Sequence, residues 1–232
     1  MKTKTKILII VDMQNDFLSW QPVMHRKALI TNFTKFIPKF MYESTNNGIV
    51  ITQDTHAEKD YKSYFESKKY PLHCERGTIG WDINDEIKNA CLQKYTSRVL
   101  CMEKNTYGGI DINAIRDFIK RISSHEEDES LEFIVVGLCS SICVLATMIV
   151  LNTNFPKAKI SNILHLTGST NSSSATAATT VMLDMGFNLY ADIYYNPFVP
   201  YKSPVLHNLK EKQSNVELIK RIIDKMEKAK NK

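Results

Sequence analysis

The sequence predicts a three-layer α/β/α domain built on a six-stranded, mostly parallel sheet. Short apolar runs without polar alternation recur along the chain, the pattern of strands buried on both faces. Longer segments with apolar residues at helical spacing separate them, and that alternation builds a parallel sheet covered by helices. Three of the runs lead to Asp12, Lys104 and Cys143, and the carboxyl ends of parallel strands are where such folds place their ligands.

The first strand is the run Lys6 to Asp12, continuously apolar up to its terminal carboxylate. A helix follows over about Arg26–Tyr42, with Leu29, Phe33, Phe36, Ile37 and Phe40 on one face. Pro38 is expected to kink it or to begin a separate turn. Gly48 punctuates, and Ile49–Thr52 is a second buried strand running into Gln53-Asp54-Thr55-His56. Tyr61–Gly80 is irregular, with Pro71 and Gly77. A helix over Asp82–Leu92 precedes a third strand, Arg98–Glu103, with Lys104 at its end. Asp111–Ile122 is helical, with Asp111 as a candidate cap. The acidic stretch 123–130 reads as an exposed loop.

Phe133-Ile-Val-Val-Gly137 is the fourth strand, and a turn of small residues leads to Cys143, expected in the first turn of the next helix. There, unpaired N–H groups and the helix dipole favour thiolate. A buried core cysteine is the competing reading. Lys159–Leu164 is the fifth strand. Ser169–Ser174 reads as a polar link to a helix over about Ala175–Met185, closed by Gly186, and Phe187–Tyr190 as a sixth, edge strand. An amphipathic helix over about 215–228 ends a single domain spanning 1–232 and is expected to pack on the body or on a second subunit, so a homo-oligomer is one expected state.

The net charge of +5 excludes little, because much of the excess sits near the two ends, and no basic cluster is interleaved with aromatics for nucleic acid. No apolar run approaches membrane-spanning length, and no apolar segment precedes a cleavage site at the N-terminus. The five cysteines are odd in number and lack zinc-ribbon spacing, as expected of free thiols in a reducing, cytoplasmic setting.

Asp54 and His56, two apart on an extended chain, point to one side and suit one metal ion. A simple hydrogen-bonded pair is the alternative. Glu66 and His73 lie in the irregular segment that follows, and a metal ion is one way to hold such a segment. Lys104 beside a thiol and a carboxylate is a charge partner; alone it is a solvated lysine.

Taken together, Val11–Phe17, Thr52–His56, His73-Cys74 with Gly77 to Trp81, Lys104 with Tyr107, and Gly137 to Val144 resemble, in order, the isochorismatase-like cysteine hydrolases, and within them the nicotinamidases (pyrazinamidases). The resemblance spans roughly Lys6 to Tyr190. It implies a triad of Asp12, Lys104 and Cys143, and an oxyanion hole from the backbone N–H groups of Cys139 and Cys143. It implies one divalent metal, zinc first with manganese or iron as alternatives, on Asp54, His56, Glu66 and His73. Glu66 is chosen because no histidine lies between His56 and His73; Asp60 is the fallback. It places Phe17, Tyr70 and Tyr107 around the substrate ring and a cis peptide at Leu138–Cys139. The turn Cys139-Ser140-Ser141-Ile142 departs from the Ala-Thr-Asp common in the family.

The implied activity is hydrolysis of nicotinamide to nicotinate and ammonia, a step of NAD salvage. Another small-amide or carbamoyl hydrolase of the superfamily is the alternative, and a non-catalytic binding module on this fold is a further one.

Overall fold

The computed structural model describes residues 5–19, 23, 25–123 and 130–191. The interior of the acidic stretch 123–130 and the whole helix expected at 215–228 lie outside the described residues. Strands β1 (Thr5–Val11), β2 (Gly48–Asp54), β3 (Val99–Lys104), β4 (Leu131–Gly137), β5 (Lys159–Ile163) and β6 (Asn188–Tyr190) form one sheet. The order is β3-β2-β1-β4-β5-β6, and every neighbouring pair is parallel. The helices are α1 (Asn15–Ser19), α2 (Arg26–Glu43), α3 (Glu58–Tyr61), α4 (Asp85–Tyr95), α5 (Ile112–Ile122), α6 (Leu145–Asn154) and α7 (Ser172–Asp184).

The unbroken apolar runs have a plain cause. Successive side chains of a strand point to opposite faces, and both faces are covered. Leu8, Ile10, Ile49, Ile51, Ile134 and Val136 pack with Phe17 of α1, Phe33 and Ile37 of α2, and Ile87 of α4. Ile7, Ile9, Val11, Val50, Phe133 and Val135 pack with α5, α6 and α7 through residues such as Phe118, Met148 and Met182.

The chain winds from β1 outward to β3, then returns to lay β4 on the other side of β1. The carboxyl ends of β1 and β4 therefore flank the switch point, where open sheets hold ligands. Register aligns those ends: Val11 pairs with Thr52 and Gly137, and Asp54 pairs with Lys104.

Three boundaries differ from the sequence expectation. Helix α2 runs through Pro38 as one element. Pro38 is exposed, so the carbonyl deprived of its N–H faces solvent and the core face stays intact. Helix α4 starts at Asp85 because the Asn84 side chain accepts from the Ile87 N–H. Helix α7 starts at Ser172, inside the presumed polar link, because the Asn171 side chain accepts from the Ser174 N–H.

At the other end of the sheet, the Arg98 guanidinium before β3 donates to the carbonyls of Met41, Ser44, Thr45 and Asn47. These acceptors lie where α2 ends and the chain turns toward β2; the Ser44 carbonyl also accepts from the Asn47 N–H.

Candidate active site

Asp12 follows β1 with φ of 50°, in the left-handed region, and turns the chain away from the sheet. Its N–H donates to the Thr52 carbonyl at 3.2 Å. The Thr52 hydroxyl donates to Asp12 Oδ1 at 2.6 Å. Lys104 Nζ, at the end of β3, lies 2.7 Å from Asp12 Oδ2 and 3.3 Å from Asp54 Oδ1. It also lies 3.6 Å from Cys143 Sγ. The three residues read as a triad from the sequence are thus brought together, all buried.

The loop that carries Cys143 is fitted against β1. Gly137 has φ of +117°, and any Cβ there would collide with the backbone of Val11; glycine is required by both conformation and space. The Leu138–Cys139 peptide bond is cis, as the family resemblance implies. Ser140–Val144 then forms a π-helical turn before α6 begins. Cys143 therefore sits inside that turn and not in the first turn of the α-helix. The Ile142 and Val144 N–H groups both donate to the Cys139 carbonyl, and the Ser140 N–H to the Gly168 carbonyl.

The expected preference for thiolate is reversed in this state. Burial pushes the Cys143 thiol well up, the Asp12 carboxylate adds to the rise, and Lys104 opposes both. Burial also raises Asp12, against the pull of Lys104. For Lys104 burial favours the neutral amine, but Asp12, Cys143 and Asp54 outweigh it and its pKa rises. Burial thus favours the thiol form of Cys143 while its neighbours favour the charged form of Lys104, and the basicity of Asp12 between them is raised.

Asp54, His56 and His73 offer ligand atoms all within 4.8 Å of one another, and all three residues are buried. Asp54 Oδ2 lies 3.3 Å from the Nε2 atoms of both His56 and His73. His56 Nε2 is also 3.1 Å from Glu66 Oε1, a buried oxygen. Glu66 sits in a 3-10 turn, Phe65–Lys68, that turns its carboxylate inward. Asp60, the fallback, lies on α3 with its side chain exposed.

His73 Nδ1 is 2.8 Å from the Pro71 carbonyl. A carbonyl only accepts, so Nδ1 carries a proton, and Nε2 is the ring nitrogen turned to Asp54. Burial alone would lower His56, but Asp54 and Glu66 outweigh it and raise its pKa to about 9. Burial alone would raise Asp54, but the two histidines and Lys104 hold it well below the carboxylate range. Two imidazole nitrogens and a carboxylate converging in the interior, with the Glu66 carboxylate against His56, are donors of the kind a divalent cation takes, and the residues fit one.

Cys143 of the triad and Asp54 and His73 of the donor cluster line one cavity of about 730 Å³, with Phe17, Glu66, Tyr70 and Tyr107 among its other walls. The Phe17 ring lies 5.3 Å from that of His73. Tyr61, not singled out from the sequence, donates to the Tyr70 carbonyl at 3.0 Å and sets its ring edge against His56. Thr52 and Gln14 are two further contributors that the sequence reading passed over. A neutral side chain at a strand end carries no chemical signature until its partner is placed.

The family model for the isochorismatase domain matches residues 6–154. The chain belongs to the isochorismatase family. Among solved members, the nicotinamidase/pyrazinamidase of Bacillus subtilis superposes with a TM-score of 0.66 at 20% identity, covering 81% of this chain and 100% of that one. The pyrazinamidase/nicotinamidase of Streptococcus mutans gives 0.64 at 23% identity, covering 80% and 99%. The pyrazinamidase of Pyrococcus horikoshii, solved in complex with zinc, gives 0.61 at 19% identity, covering 81% and 99%. At these identities the likeness establishes the isochorismatase-like fold. No match was found among curated protein sequences. Among the described residues, no helix of this family member is long and apolar enough to cross a membrane.

Proposed function

We propose that the protein is a metal-assisted cysteine amidohydrolase that converts nicotinamide and water to nicotinate and ammonia. One observation carries the reading: Lys104 Nζ joins Asp12 and Cys143 in one buried cluster, and the cavity lined by Cys143 is also lined by Asp54 and His73, two members of the Asp54/His56/His73 donor set.

In this reading Asp12 takes the Cys143 proton as the sulfur attacks the amide carbon. Lys104 keeps its proton and stabilises the thiolate as it forms. The backbone N–H groups of Cys139 and Cys143 receive the oxyanion; loss of one such donor typically costs about a hundredfold or more in rate. Asp12 returns its proton to the leaving nitrogen, and ammonia departs from a thioester. Asp12 then deprotonates water, which attacks the thioester carbon, and the proton returns to the departing sulfur.

Asp54, His56, Glu66 and His73 would hold a divalent metal, which would supply Lewis acidity for orienting a pyridine ring. Phe17, Tyr70 and Tyr107 confine the ring, and a fixed carboxamide removes much of the entropic barrier. The expected result is equimolar ammonia and nicotinate from nicotinamide, lost in Cys143→Ala and on chelation. Release at the wild-type rate by Cys143→Ala would overturn the scheme.

The cavity volume favours keeping a second reading. About 730 Å³ is in the range of about 300–1,000 Å³ that drug-sized ligands fill, more than a single pyridine ring requires. A larger amide or carbamoyl substrate fits that room. Ammonia release across a panel of small and extended amides separates the two.

A further inference from the structure

Asp54 stands at a place where the sheet has run out on one side. Toward β3 it is paired with Lys104, whose carbonyl receives the Thr55 N–H at 2.7 Å. Toward β1 the ladder ends at Val11 and Thr52, because Asp12 turns the chain away. In a parallel ladder, alternate residues present both N–H and C=O to the same neighbour. Thr52 presents its carbonyl to β1, so Asp54, two residues on, presents its own N–H and C=O to a strand that is no longer there.

Gln14 fills the vacancy. Its Oε1 accepts from the Asp54 N–H at 2.8 Å, and its Nε2 donates to the Asp54 carbonyl at 2.8 Å. Nε2 also donates to the Trp81 carbonyl at 2.8 Å. The amide orientation is fixed, since an N–H only donates and a carbonyl only accepts. Gln14 is fully buried. Its own backbone is held in an antiparallel bridge to Ile83, with Asn15 N–H donating to the Asp82 carbonyl and Asn84 N–H to the Met13 carbonyl. The side chain is therefore aimed by a second, independent set of bonds.

We infer that Gln14 is a positioning residue for the metal centre: its carboxamide stands in for the missing peptide of β1 and fixes the backbone from which the Asp54 carboxylate reaches both histidines and Lys104. The inference rests on the metal-dependent reading above. Phase of the Asp54 backbone decides where that carboxylate points, and a ligand misplaced by even about 1 Å defeats a built site. A substitution that leaves the fold intact but frees Asp54 acts on metal affinity first.

The test measures zinc affinity of chelator-treated, full-length protein by competition with a chromophoric chelator. Gln14→Met keeps length and approximate volume but none of the three bonds; Gln14→Glu keeps the acceptor alone and is used in its place should Gln14→Met not fold. Arg98→Ala, at the opposite end of the sheet, controls for general loss of stability, with melting temperatures of all three metal-free proteins recorded. The expected result is one zinc per wild-type chain, at least tenfold weaker binding in the Gln14 variant, and wild-type affinity in Arg98→Ala. Wild-type zinc affinity in the Gln14 variant, or an equal loss in Arg98→Ala, overturns the role of Gln14 alone. A wild-type protein that binds no zinc overturns the metal reading and this inference together.

Discussion

In the proposed mechanism Asp12 accepts a proton from one neighbour and yields it to another, so its orientation matters as much as its basicity. Thr52 fixes it by donating at 2.6 Å to Oδ1, leaving Oδ2 to Lys104. Thr52→Val keeps the shape and removes that bond; kcat is expected to fall about ten- to a hundredfold with KM little changed, and Thr52→Ser to restore most of it. Steady-state ammonia release from the three proteins checks this. The electrostatics of His56 give a pH prediction for the metal-free protein. Burial would lower it, but Asp54 and Glu66 raise its folded pKa to about 9, above the ordinary histidine value of 6.5. A raised pKa means the folded state holds the proton more tightly, so this contribution to stability is complete below the lower value and is lost as pH rises through the higher one. Urea midpoints of chelated protein are expected to fall from pH 6.5 to 9, with the fall reduced in His56→Gln.

Among the elements, the strand-to-helix connection after β4 carries Cys143, the proposed nucleophile, and the helix-to-strand connection after α2 is tied by Arg98. The first depends on Gly137, whose missing Cβ lets the turn close on Val11. The second depends on Arg98, which serves four carbonyls with one guanidinium. Arg98→Ala leaves those acceptors to water or unpaired and is expected to cost about 1–3 kcal/mol by urea unfolding. Its amidase activity should stay near wild type, since β3 carries Lys104 at the end remote from Arg98. Sequence periodicity placed all six strands, the central ones because their apolar runs answer to burial on both faces; edge strand β3 alternates buried and more exposed residues. It misplaced the starts of α4 and α7 because those are set by single asparagine caps, and it put Cys143 in an ordinary first helical turn where a π-helical turn stands.

On the scale of the whole molecule, the switch point divides the site between the two halves of the sheet. Asp12, Asp54, His56 and Lys104 come from the β1–β3 half; Cys143 comes from beyond β4. A ligand that bridges the buried donors on the first half binds only the folded chain, and is therefore expected to stabilise it. At a free zinc concentration a hundredfold above Kd the gain is about 2.7 kcal/mol. Thermal melts with and without chelator should show zinc raising the midpoint, and a His56→Gln/His73→Gln protein should lose most of that response.

The sequence by itself determined the layered α/β architecture, the strands, and the residue types available at their ends, because burial and periodicity are local properties that each segment carries. The three-dimensional structure alone decided which of those residues meet. Parallel register and the reversal at the switch point bring Lys104 to Asp12 and Cys143, an inward turn of the 3-10 segment brings Glu66 and not Asp60 to His56, and burial raises a thiol that its sequence neighbourhood would lower. The part that sequence periodicity could not reach was Gln14, whose carboxamide has meaning only where β1 leaves the sheet and the Asp54 backbone is left needing a partner.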